Sequence, residues 1–308
     1  MNELHWLLVV LFALFVVLRL GLPRHSRLPF DYLRYTVLTL VALVVLAPFA
    51  WLVCGAIKTP GAFMEHTFLP KPSEWPTALS TQNFVRLFEP RPTPTGTVYF
   101  WRHILNSIFY ASTAVVLQVF FCSLGGYTLA KYAFAGKRLV VLFMLGSMMI
   151  PPMLLLSPLY AIMVSIGWID SYLALIVPSM VNAFGMFLFR QAIIQVPNDL
   201  LEAGRVDGCS EFGIYYRLVM PLVRPMTAAF CLIVFLATWN NFIGPQIYLH
   251  SEGKLPLPVI LSQYTAVYER EYGVFLAGTL IAITPPAILF LVFQREFVRG
   301  LTSGAVKG

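Results

Sequence analysis

The sequence predicts an all-α polytopic membrane protein, on three observations. Of its 308 residues, 58% are hydrophobic and only 11% are charged, against about 25% charged in a soluble domain. Six stretches, 36–57, 104–130, 139–169, 171–189, 226–249 and 272–293, contain no Asp, Glu, Lys or Arg. Each approaches or exceeds the roughly 20 residues that a helix needs to cross a bilayer.

A seventh apolar stretch, 4–22, carries only His5 and Arg19 as polar interruptions. Arg19 can snorkel toward the headgroups, so 4–22 reads as an extra N-terminal span, with an interfacial helix as the other reading. The N-terminus, MNEL, lacks the positive region and the small-residue site of a cleavable signal. The chain therefore divides into an anchor with a basic loop at 1–35 and a six-span transmembrane domain at 36–308.

The loops set the orientation. Fourteen Lys and Arg fall in one alternating set, at 19–34, 131–138, 190–224 and 295–307, and seven in the other, at 58–102 and 254–270. The richer set faces the cytoplasm, placing the segment 197–225 and the tail 294–308 inside. The net charge of +7 belongs to these loops and gives no reason to expect nucleic acid as a partner.

The external loop 58–103 holds seven prolines and predicts irregular structure with one short helix at 82–88. The external loop 250–271, with LPLPVILSQYTAVYER, is more apolar than solvation requires. It either packs on the membrane or meets an external partner. Prolines at 151, 152, 158, 178, 245, 285 and 286 fall inside the apolar stretches and predict bends there.

Several chemistries are missing. No apolar stretch of the six holds an ionisable Asp, Glu, Lys or Arg, whereas ion-coupled carriers commonly place such a group at the midplane. There is no GxxxxGK[ST] and no HExxH. Cys54, Cys122, Cys209 and Cys231 form no CxxC and read as packing residues. His5, His25, His66, His103 and His250 are scattered near span ends and read as ordinary loop histidines, so no metal site and no cofactor is expected on this chain.

The polar groups inside the spans are neutral: Asn106, Gln118, Asn182, Trp239, Asn240 and Asn241. Amides and an indole can hydrogen-bond a polyhydroxylated solute without carrying charge. The same groups also join helices in membrane bundles, at about 1 kcal/mol each. Gln118, Asn182, Trp239, Asn240 and Asn241 are thus candidates for a substrate pathway or for packing.

The segment 197–225 is the polar exception. It carries Asp199, Glu202, Arg205, Asp207, Glu211, Arg217 and Arg224. Asp199 is placed to cap a helix with Glu202 at the third position. Ala203 and Gly204 permit close approach by another backbone, and Glu202 can pair with Arg205. Gly208 suits a left-handed helix end. Ser210 can cap a second helix bearing Phe212, Tyr215, Tyr216 and Val219, which stops at Pro221. The result is a helical knob on the cytoplasmic face.

EAGRVDGCSEF followed by MPLVRP resembles the Glu-Ala-Ala loop of ABC importer permeases. Gly204 stands where that family commonly has alanine, and Met220 where leucine or isoleucine is usual. ILNSIFYAS at 104–112, FLATWNNFIGPQIYL at 235–249 and the tail QREFVRGLTSGAVKG extend the likeness to the MalG-like carbohydrate-uptake permeases. The resemblance implies a type I ABC importer bundle and an inner-membrane location in a bacterium or archaeon. It implies a second, MalF-like permease, two copies of a cytoplasmic ATPase that uses ATP and Mg, and an extracytoplasmic solute-binding protein. It casts Glu202, Ala203, Gly204, Arg205, Asp207 and Gly208 as the ATPase-coupling helix. It casts the loop with Leu255, Pro256, Leu257, Pro258 and Gln263 as the contact with the binding protein. A secondary sugar carrier, or an importer of glycerol phosphate or a polyol, stays as the alternative.

Overall fold

The structure is a computed structural model and describes residues 28–93, 96–266 and 271–302. The stretch 4–22 and the end of the tail, with Gly304 and Gly308, lie outside the described residues. The chain forms two compact units, Met1–Asn83 and Phe84–Gly308.

The first unit is built on α1, Leu28–Ala56, a helix with Pro48 inside it. Its apolar side chains are exposed along almost their whole run, including Val37, Val41, Val44 and Leu46, as expected for a helix facing lipid. Past it lies α2, Pro60–Glu65. Lys58 is buried there. Its ammonium donates to the carbonyls of His66 and Thr67 and sits 5.3 Å from the Phe63 ring centre. Asn83 closes the unit by donating to the carbonyls of Ala56, at 2.9 Å, and Lys58, at 2.8 Å. Buried polar groups need such partners, and these give the proline-rich loop a fixed start.

The second unit contains a ribbon that the all-α expectation did not include. β1, Arg91–Thr93, pairs antiparallel with β2, Gly96–Val98. The short helix expected at 82–88 forms as Gln82–Phe88. Then comes α3, Phe100–Lys131, 32 residues without a proline.

Three of the expected spans are broken. The stretch 139–169 folds as α4, Lys137–Ser147, and α5, Leu156–Ser165, preceded by a 3₁₀ turn, with a 96° bend between the two arms. Pro151 and Pro152 supply no amide hydrogens, and Pro151 is extended at ψ 127°, so the helix cannot run through. The stretch 171–189 becomes α6, Leu173–Ser179, and α7, Ala183–Ile194. The polar segment 197–225 holds α8, Asn198–Val206, and α9, Glu211–Ile214. The stretch 226–249 becomes α10, Arg224–Trp239, and α11, Ile243–Tyr248. Asn240 and Asn241 end α10 by bonding local backbone: Asn240 donates to the Leu236 carbonyl, and the Asn241 side chain accepts from the Gly244 amide. The external loop holds α12, Leu257–Ala266, and the chain closes on α13, Tyr272–Thr302. Pro285 and Pro286 lie inside α13 without interrupting it.

α3 packs along α7 and α10, and α10 along α13. Two cores result. One gathers Cys122, Tyr127, Phe189, Ile193, Leu201, Ile214 and Val219 around the hairpin. The other gathers Tyr110, Met163, Leu175, Tyr248, Leu255 and Val259 around the external segment.

Candidate coupling hairpin and translocation residues

α8 starts two residues earlier than the sequence suggests. Pro197 occupies the N-cap and Asp199 lies within the first turn. From there Asp199 cannot cap, but its charge complements the helix dipole. One face of α8 is buried through Leu201 and Gly204, while Glu202, Ala203, Arg205, Asp207 and Gly208 are exposed. Leu200 is exposed as well.

The end of α8 follows the sequence closely. Gly208 takes φ +78°. The Gly208 amide donates to the Arg205 carbonyl at 3.1 Å, and the Cys209 amide to the Gly204 carbonyl at 2.9 Å. This is a Schellman motif. Ser210 caps the next helix by accepting from the Gly213 amide at 3.1 Å. α9 passes into a π-helical turn at Tyr215–Val219 and a last turn at Met220–Leu222. The arm Glu211–Leu222 meets α10 at an 83° bend, so the second helix ends past Pro221, at Val223. Tyr215 and Val219 are buried while Phe212 and Tyr216 are exposed. A Cβ on Gly204 would lie 2.8 Å from the Leu218 Cδ1 and 3.3 Å from Ile214, so the small residue seats α8 against the π turn.

Arg205 does not pair with Glu202. Its Nε bonds the Glu211 carboxylate at 2.7 Å, because the tight turn at Gly208 brings the start of α9 back beside the end of α8. The Glu211 carboxylate also accepts from the Tyr132 hydroxyl. Arg205, then Tyr132, hold the Glu211 carboxyl below the usual carboxylate range. Lys131 donates to the Val196 carbonyl and to the Asn198 side chain. The Ser123 and Tyr215 hydroxyls are 2.6 Å apart, and the Tyr127 ring touches those of Tyr132 and Tyr215. The hairpin is thereby fastened to the inner end of α3. Sequence reasoning treated Glu211 only as one more charge and missed Tyr132, for which the local sequence carries no signal.

The candidate pathway residues do not form one cluster. Asn182 donates to Gln118 at 2.6 Å and caps α7 by accepting from the Gly185 amide. Trp239 is buried, donates to the Ala282 carbonyl at 3.0 Å and stacks on Phe235. Asn241 donates to the Tyr110 hydroxyl at 3.2 Å. Asn240 is exposed.

In the external loop, Leu255, Pro256 and Leu257 are buried, and Pro258 and Gln263 are half-buried. Asp170 lies at φ +59°, a region that non-glycine residues seldom occupy. Its carboxylate accepts from the amides of His250, at 3.0 Å, and Ser251, at 2.9 Å, and pairs with Lys254 at 2.7 Å. Burial opposes the charge, but Lys254 and Ser251 outweigh it and hold the carboxyl well below the usual range. The outer end of α3 grips the same segment. His103 Nδ1 lies 2.8 Å from the Leu255 carbonyl, Asn106 donates to Gly253 at 2.9 Å, and Ser107 accepts from the Leu257 amide at 2.7 Å. His103, read as an ordinary loop histidine, is thus buried and engaged. The one legible hint for Asp170 was its isolation as the single charge within 139–189. Among the described residues no group of His, Cys, Asp and Glu is arranged to hold a metal.

The sequence pattern of the binding-protein-dependent transport system inner membrane component family matches residues 122–302. This is more than half of the chain. The protein belongs to that family. The permease is 36% identical over 269 residues to the arabinooligosaccharides transport system permease protein AraQ of Bacillus subtilis, covering 87% of this chain and 93% of AraQ. It is 32% identical over 281 residues to the lactose transport system permease protein LacG of Rhizobium radiobacter, covering 91% and 97%. Its fold matches a chain of a bacterial ABC transporter involved in the import of the acidic polysaccharide alginate, with a TM-score of 0.77 at 23% identity over 89% of this chain and 98% of that one. The permease is a multi-pass inner-membrane component of a binding-protein-dependent ABC importer, and its bundle is of the importer type.

Proposed function

We propose that this permease imports a sugar or a related polyhydroxylated solute, as half of a translocation pathway completed by a second, MalF-like permease. The relatives named for arabinooligosaccharide and lactose transport support the solute class. In this reading two copies of a cytoplasmic ATPase bind and hydrolyse ATP with Mg, and this chain holds no cofactor and catalyses nothing itself. The hairpin and the tail face the cytoplasm. The exposed residues of α8, with Glu202, Ala203, Arg205, Asp207 and Gly208, meet the ATPase, and Gly204 seats the helix from behind. Pro258 and Gln263 meet the solute-binding protein, while Leu255, Pro256 and Leu257 anchor that loop. Gln118, Asn182, Trp239, Asn240 and Asn241 border the pathway.

One observation carries the coupling role. A helix of nine residues, Asn198–Val206, is held at both ends and leaves Val206 88% exposed among the described residues. Gly208 tests it cleanly. A Cβ there meets nothing of the described chain within 4 Å, so within the permease itself Gly208→Val acts through the left-handed backbone, at about 1–2 kcal/mol. Glu202→Ala and Gly208→Val are expected to reduce the ATPase retained on affinity-tagged permease while leaving its amount in the membrane unchanged. Full retention of the ATPase by both variants would end the coupling role.

A further inference from the structure

α3 differs from every other described span. α1 contains Pro48, α13 contains Pro285 and Pro286, and the remaining spans are bent or interrupted. α3 runs its 32 residues without a proline, about 48 Å at 1.5 Å per residue. That is slightly more than a whole bilayer with its headgroups, at about 40–45 Å. Gly125 and Gly126 are the point where it would bend. They are packed shut instead: a Cβ on Gly126 would lie 2.6 Å from the Phe189 Cβ and 2.8 Å from the Arg190 amide nitrogen.

Both ends of this helix hold functional segments through side chains. At the inner end Ser123, Tyr127 and Lys131 lie four residues apart on one face; the first two both reach Tyr215 and the third reaches Asn198. At the outer end His103, Asn106 and Ser107 reach the backbone of 253–257. Ser107 and Ser123, 16 residues apart, point about 160° from each other around the axis, while Asn106 and Lys131, 25 residues apart, lie within about 20° of one line. A rod gripped by side chains near both ends passes a push at one end on to the other.

We infer that α3 is a rigid strut that carries displacement of the cytoplasmic hairpin to the external segment 250–257. Ser123, Lys131 and Tyr132 are its inner positioning residues, and His103, Asn106 and Ser107 its outer ones. This rests on the coupling reading of the hairpin given above. It adds that the external loop is driven through one helix rather than through the bundle at large.

The test uses the complete importer, reconstituted with its partner permease and ATPases, in a background freed of native cysteines. Spin labels are placed at Val206→Cys and His250→Cys, both at exposed positions. Pulsed dipolar spectroscopy gives their separation with and without a non-hydrolysable ATP analogue. The strut predicts one separation in both states for the parent. In the Tyr132→Phe, Lys131→Ala variant, whose inner grip is loosened, the separation is expected to shift only when the analogue is added. A residue that merely stabilised the fold would broaden the distribution equally in both states, and that result would overturn the proposal. So would a parent separation that changes with nucleotide, or a variant separation that does not. The line shape of the Val206 label alone, with and without ATPase subunits, checks the coupling reading separately. An unchanged line shape removes the hairpin as the docking element, and the strut with it.

Discussion

Gly126 and Gly204 both sit in helical contacts, but a methyl group would meet different things. On Gly126 it would press on backbone: the Arg190 amide nitrogen at 2.8 Å and the Met186 carbonyl at 3.0 Å. α3 and α7 would have to separate, and overpacking of this kind costs about 1–3 kcal/mol. On Gly204 it would meet the far end of Leu218 at 2.8 Å, which can rotate away. Alanine there also gains up to about 1 kcal/mol of helix propensity. Gly126→Ala is therefore expected to lower the thermal midpoint of the detergent-solubilised importer, and Gly204→Ala to leave it unchanged or raise it. Fluorescence-detected size exclusion after heating reads both, and equal midpoints for the two variants would mean that α3 and α7 do not approach so closely. The same comparison gives a physical reading of the glycine at position 204. The position accepts either residue because only a flexible side chain opposes it.

At the scale of elements, one carboxylate holds the external segment together with α3. Asp170 binds two amides and the Lys254 ammonium, so its folded-state pKa lies below its unfolded one. A group of that kind contributes stability that is complete above the ordinary value, about 3.9 for Asp, and lost as pH falls through the folded value. Between pH 5 and 8 the latch is therefore expected to be insensitive to pH. Asp170→Asn removes the charge while keeping a residue that tolerates positive φ, and Asp170→Ala removes both. Amide hydrogen exchange over 250–257 is expected to rise in the order parent, Asn, Ala. Equal exchange in all three would show that the segment is held by α3 alone. This latch also shows where the sequence stopped being informative. The helix end at Gly208 and the cap at Ser210 were legible because each is decided within four residues of chain. The partners of Asp170, and the meeting of Glu211 with Tyr132, join residues about 80 positions apart, and local pattern carries nothing of that. Apolar length revealed the stretches 139–169 and 226–249, and Pro151 and Pro152 marked the bend in the first, but hydropathy is blind to the asparagine pair that breaks the second.

For the whole molecule, the arrangement requires the hairpin and the external segment to lie on opposite sides of the membrane. α3 joins them with a helix long enough to cross a bilayer, and the count of Lys and Arg leads us to expect the hairpin inside. The labelling positions follow from exposure: Val206 at 88% on the hairpin, and His250, also exposed, on the far loop. In intact cells of a Gram-positive host, or in spheroplasts, a membrane-impermeant maleimide is expected to modify His250→Cys and to spare Val206→Cys until the membrane is permeabilised. The native thiols complicate neither reading once they are replaced. Cys122 is the buried one of the four, so its replacement by alanine needs its own check of membrane abundance. Labelling of Val206→Cys from outside would invert the bundle, remove the ATPase from reach of α8, and leave the family's energy supply with no route into this chain. Labelling of His250→Cys alone leaves the cytoplasmic hairpin as the face on which an ATPase can act.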